Sequence, residues 1–287
     1  MKKHILLPAL AVAGGCAGFV LRTWQLTLAY DPNTRLFQMG SPYTLALLGL
    51  MLALAVLFLV LVRGGSTPED YLPAYRCPST LYMTVMTASA FLFFGTGALG
   101  LLDNLGRLTF FLWGQVQTTS VAAACLCAVL CFPAGLAVLL MGRAGYRGEI
   151  TGTVSMLSSF PAFCALIWMF STYLENGSNP ILMEYVFTLL AAALLLLSHY
   201  YAAAYFFGSH RPRRALFFSL MGIVVGLTSL ADGPDRFAAM ITLALLLSAL
   251  AQTYALLRSC FGPDWPDYLL ERMPRGADED EDEDDAP

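Results

Sequence analysis

The sequence predicts an all-α polytopic membrane protein of about eight transmembrane helices in four hairpins, with a small external β-hairpin. Three observations carry that expectation. Hydrophobic residues make up 57% of the 287 residues and charged ones 13%, with a mean hydropathy of +0.65; a soluble domain carries about twice that charge. The charges present flank uncharged runs long enough to cross about 30 Å of hydrocarbon, where each central Asp, Lys or Arg opposes insertion by roughly 2.5 to 3.5 kcal/mol. Lysine and arginine, finally, segregate to alternate loops.

The runs are 5–21, 43–62, 80–102, 118–141, 150–172, 181–207, 215–231 and 236–257. The fourth has an ambiguous start, because no charge falls between Leu108 and Gly142. Its aromatic opening, Leu108 to Trp113, reads as an interfacial segment ahead of a span that begins near 118. With the N-terminus inside, 12 of the 16 Lys and Arg are cytoplasmic, leaving Arg22, Arg35, Arg107 and Arg236 outside. An even number of spans is required for that segregation, since losing one helix inverts every later loop. The expected location is the plasma membrane, with both termini cytoplasmic. Lys2, Lys3 and the small residues around Cys16 imitate a signal peptide, but Ala17 to Leu21 continue the apolar run, so a retained first helix is expected.

Between the first two spans, Trp24 to Tyr30 alternates large apolar with small or polar residues, the period of a strand. Asp31-Pro32 then favours a type I turn. Residues 22–39 are therefore expected to form the external hairpin, with an extension of the first helix as the alternative. Asp31 and Arg35, Asp103 and Arg107, and Asp232 and Arg236 repeat an Asp-x-x-x-Arg pattern at three external turns. Locally each Asp would accept turn or cap bonds and offset its Arg; the sharper reading is a repeated unit or convergence on an external ligand. On the inner side, 64–79 and 262–270 share Asp-Tyr-Leu and read as interfacial segments with aromatics at headgroup level.

The transmembrane domain is expected over 1–258, followed at 259–287 by a cytoplasmic segment and a disordered tail. Asp278 to Asp285 are all acidic, and removing these eight carboxylates turns the formal net charge from −4 to +4, so the acidity belongs to the tail. Besides the lipid bilayer, the expected partners are a protein bound by that tail or a second copy of the chain; nothing suggests nucleic acid.

Ionisable residues within spans are the best functional pointers in a membrane protein. Here they are few. Glu184 sits one turn into the sixth run and His199 is the only histidine within any run, on a helix that also carries Tyr185, Tyr201 and Tyr205. These five are the candidate cavity-lining residues; the alternative is a histidine satisfied by a neighbouring helix beside an interfacial tyrosine cluster. Gly14 and Gly18, and Gly222 and Gly226, form small-xxx-small pairs suited to close helix packing, while Pro133 and Pro161 are expected to kink the fourth and fifth spans. Seven cysteines carry no CxxC or zinc spacing; Cys127 and Cys131 share a face at i, i+4 and read as small buried hydrophobes. Zinc-protease, hydrolase-elbow and phosphate-loop motifs are missing, both lysines are terminal, and no pair of haem-ligating histidines is present. Neither a cofactor nor a metal site is expected. The leading functional expectation is a non-enzymatic sensor or membrane-complex subunit; a transporter or channel for a neutral or weakly polar solute is second, and an enzyme third.

Overall fold

In the computed structural model, which describes residues 3–31, 36–38, 40–112, 119–177, 179 and 181–263, the chain is a bundle of helices. Among the described residues, eight helices are long and apolar enough to span a membrane. They are α1 (Lys3–Leu28), α2 (Pro42–Leu61), α4 (Thr80–Leu112), α5 (Thr119–Arg147), the α6–α7 pair (Gly152–Leu157 and Phe160–Asn176) forming the fifth span, α8 (Val186–Ala204), α9 (Pro212–Ser229) and α10 (Arg236–Phe261), with a short α3 (Tyr71–Tyr75) between the second and third spans.

Neighbours in sequence pair as hairpins, α4 on α5 and α8 on α9, while α7 joins α5 to α8 and α9 packs on α1. α10 lies against α4, α9, α1 and α8 and is the most buried span, whereas α2 is mostly exposed on the outside of α1. Lys3 donates to Leu61 O (3.3 Å) and lies over the Phe261 ring (4.9 Å). The start of the first span, the end of the second and the end of the last thus share one end of the bundle, which requires the even span count. We refer to this as the Lys3 end and to the opposite one as the hairpin end.

Glycines permit the close approaches. A Cβ on Gly14 would lie 2.6 Å from a methyl of Leu54, and one on Gly18 would collide with Thr228 and Met51, so both fit α1 between α2 and α9. Gly222 and Gly226 lie against Leu195 of α8, and Gly226 also against Leu246 of α10. These four glycines serve contacts inside the bundle.

Several boundaries differ from expectation. α1 continues through Leu28, so 22–28 is helix and the hairpin is reduced to β1 (Tyr30–Asp31) and β2 (Leu36–Phe37), antiparallel with Tyr30 opposite Phe37 and Asp31 opposite Leu36. Thr23 and Thr27 close back on Phe19 O and Thr23 O (both 2.9 Å), the helical alternative to a strand. The turn residues 32–35, with Arg35, lie outside the described residues, as do the side chain of Arg107, Trp113 and everything beyond 263, the acidic tail included. Residues 108–112 continue α4 and do not open the fourth span. The helix runs through Pro133 in α5, whereas the fifth span is interrupted at Ser158 and Ser159, just before Pro161. Pro161 has no N–H to give Leu157 O, and the break falls there.

The loop between the second and third spans has its aromatics packed inside the bundle. Tyr71 and Tyr75 of α3 are each 2% exposed. Tyr71 stacks on Phe206 with 3.9 Å between centroids, Tyr75 meets the edge of Tyr205 at 5.3 Å, and Tyr71 Oη donates to Met141 O at 3.4 Å. Cys77 N to Gly145 O (2.9 Å) and Ser259 Oγ to Pro73 O (2.7 Å) pin the segment to α5 and α10. It plugs the Lys3 end.

Candidate functional site: a buried arginine at the hairpin end

The residue around which the hairpin end is built is Arg22. Six residues from the end of α1, it is completely buried. Nε donates to Asp232 Oδ1 (2.6 Å), Nη1 to Gln25 Oε1 (2.7 Å) and Nη2 to Met183 O (2.7 Å). The guanidinium also lies 4.8 Å from the Phe187 ring and 5.6 Å from Phe37, contacts that suit its weakly hydrated plane. Asp232 is nearly enclosed, and its second oxygen accepts from Thr188 Oγ1 (3.4 Å).

Local sequence explains this arrangement. Arg22 and Gln25 are three apart on a helix and so share a face, and Gln25 passes the network on to Thr44 of α2 (2.8 Å). At the end of α9 a 3₁₀ turn, Leu230–Asp232, is closed by Gly233 at φ 66°, a conformation that suits glycine. The next acid, Asp235, caps α10 by accepting from Ala238 N (2.8 Å). Capping thus falls to Asp235, leaving Asp232 for Arg22. The expected offset of Asp232 by Arg236 is replaced: Arg236 is exposed at the first residue of α10. Asp103 is exposed on α4 and Asp31 is half-buried in β1, so the three aspartates occupy different settings.

Glu184 belongs to the same end, outside the sixth span. It closes the 3₁₀ turn Leu182–Glu184, and α8 begins two residues later. Its carboxylate accepts from Tyr30 Oη (2.8 Å) and Asn179 Nδ2 (2.6 Å), which ties β1 to the turn, and its charge suits the N-terminus of α8. Tyr185 is the half-buried residue between that turn and the helix.

The other members of the expected cavity are dispersed. His199 is 2% exposed, with Nδ1 against Leu195 O and Nε2 against Ser248 Oγ of α10, each at 2.8 Å. Both ring nitrogens have protein partners, Leu195 O on the same helix and Ser248 Oγ on a neighbouring one. Tyr201 stacks on Phe218 of α9 (5.6 Å, 4° between planes), and Tyr205 points into the plug with Tyr75 and His210. One described cavity of about 540 Å³ lies on the flank between α1, α4 and α10, lined by apolar residues such as Val12, Val85 and Leu250, and does not include His199.

Arg22 was legible as an external arginine and hidden as a site. Its one distinguishing sign was to be the external arginine without an Asp four residues before it. The strand period of 24–30 concealed the helical face that Arg22 shares with Gln25. Comparison with protein-family profiles, with curated proteins and with solved structures gives no match.

Proposed function

We propose that this integral membrane protein is a non-enzymatic sensor or a subunit of a membrane complex, working at its hairpin end and lying in the plasma membrane with both termini cytoplasmic. The observation that carries the reading is the closure around His199. His199, the candidate for lining a solute path, spends both nitrogens on Leu195 and Ser248. Two further features agree with it. Tyr71 and Tyr75 fill the Lys3 end, and Arg22 with Asp232 binds the hairpin end to α1, α8 and α9. Trp24, Leu28 and Leu36 remain exposed there (49, 56 and 59%), an apolar rim beside the hairpin.

The test has two arms. In a chain whose native cysteines are replaced, Ser248→Cys should resist a water-soluble thiol reagent from both sides of the membrane, and labelling would turn the reading toward transport. A photo-crosslinking residue in place of Leu36 should give a defined protein adduct in intact cells, absent when it is moved to the exposed Leu52 of α2. Identical adducts at both positions would remove the case for a working surface at the hairpin.

A further inference from the structure

α5 and α7 pack along the face that carries Cys127 and Cys131, and Cys164 enters from α7 to complete a trio. The three Sγ atoms lie within 4.8 Å of one another, and Cys131 and Cys164 are 3.6 Å apart. Cys127 Sγ and Cys164 Sγ each point at the other's backbone carbonyl (3.7 and 3.9 Å). All three side chains are completely buried. Close packing bounds the group from a third side: a Cβ on Gly97 of α4 would sit 2.9 Å from Ala128 O and 3.2 Å from Cys131 Cβ.

We propose that Cys127, Cys131 and Cys164 form a binding site for a soft monovalent cation, Cu(I), in three-coordinate sulfur ligation. The separation fits: sulfurs at about 2.3 Å from a central ion stand about 4 Å apart in a trigonal plane, within the span of distances found. The donor set selects the ion. Thiolate sulfur favours Cu(I), zinc and iron–sulfur clusters; structural zinc takes four ligands and so do the clusters, while this group of described residues offers three, all sulfur. Charge selects it again. In a hydrocarbon setting the neutral assembly costs least, and a monovalent ion reaches neutrality by displacing one thiol proton. The S–H bond breaks heterolytically, the proton leaves to solvent, a Cu–S bond forms, and the other two sulfurs donate lone pairs; no electron is transferred. The break in the fifth span ahead of Pro161, three residues before Cys164, is where α7 can yield to admit the ion. The inference stands on the α5–α7 packing and does not depend on the sensor reading.

The experiment uses the full chain in nanodiscs with Cys16, Cys77, Cys125 and Cys260 replaced by alanine, titrated anaerobically with Cu(I) against a coloured Cu(I) chelator. One equivalent should bind, with near-ultraviolet sulfur-to-copper charge-transfer absorption, and X-ray absorption at the copper edge should find three sulfur neighbours. Cys131→Ser and Cys164→Ser, checked for helicity and monodispersity, should each weaken binding at least about 100-fold, beyond what loss of an outer-sphere partner costs. Unchanged affinity in both folded variants overturns the site. Should those variants fail to fold, the spectrum of the intact trio still decides: nitrogen or oxygen neighbours, or fewer than three sulfurs, overturn it equally.

Discussion

Arg22 is held by what surrounds it, and its energetics follow from that enclosure. Taking a guanidinium and a carboxylate out of water is costly, and their attraction offsets the cost only when both are fully bonded. Arg22 meets that condition through Asp232, Gln25 and Met183 O. Arg22→Leu leaves Asp232 enclosed without its partner and should destabilise the protein by about 3 to 5 kcal/mol, seen as a large loss of folded protein on heating in detergent. Arg22→Leu combined with Asp232→Leu should recover much of it; a double variant no better than the single would mean that Gln25 and Met183 O matter more than the ion pair. At the Lys3 end, outside the spans, burial pushes the Cys77 thiol from 9.0 up to about 11, against smaller opposing contributions from a backbone bond at Ser79 and from Arg258. Burial also raises the neighbouring phenol of Tyr75. The unfolded chain therefore releases the Cys77 proton first, so this contribution to stability is complete below about pH 9 and is lost as the pH rises toward 11. Cys77→Ala should flatten the pH dependence of thermal unfolding in that window, and a curve identical to the parent's would show that the thiol is not the group responsible.

At the scale of the element, the differences from the sequence reading have one origin. Residues 24–30 satisfy a strand period, yet 24–28 stay helical, because Arg22 and Gln25 share a helical face and Thr23 and Thr27 close back on the helix, and only Tyr30 enters β1. Glu184 fits an apolar window numerically but sits in a 3₁₀ turn, where Tyr30 and Asn179 reach it. Helix contacts follow the same logic. Gly18 is in contact with α2 and α9, whereas a Cβ on Gly49 of α2 would meet nothing within 4 Å. Gly18→Ala should therefore cost about 1 to 3 kcal/mol through overpacking, while Gly49→Ala should be neutral or slightly stabilising, as expected when alanine replaces glycine within a helix. Equal effects on thermal stability would mean that α1 does not fit between α2 and α9 as described.

For the whole molecule, the alternation of ends gives a direct check. Cysteines introduced at Asn176 and Arg236, at the hairpin end, should label from outside intact cells, whereas ones at Arg63 and Arg213, at the Lys3 end, should label only after permeabilisation. The reverse pattern would keep the fold and invert its orientation. Arg213 opens α9 and Arg63 follows α2, so all four positions sample loops or helix ends exposed or half-exposed in the bundle.

The sequence by itself determined the number of spans, their even parity and the place of the short hairpin. Insertion is decided locally, by the summed cost of moving about 20 consecutive residues into hydrocarbon, and charges mark where that sum turns unfavourable. Tertiary structure alone decided which polar groups meet. Arg22 finds Asp232 across 210 residues, His199 finds Ser248 across 49, and Cys131 finds Cys164 across 33. A helix presents every residue to some direction, and which direction becomes an interface depends on the helices packed beside it. The same packing encloses Tyr71 and Tyr75 in the bundle, because the aromatic faces of Phe206 and Tyr205 lie there to receive them.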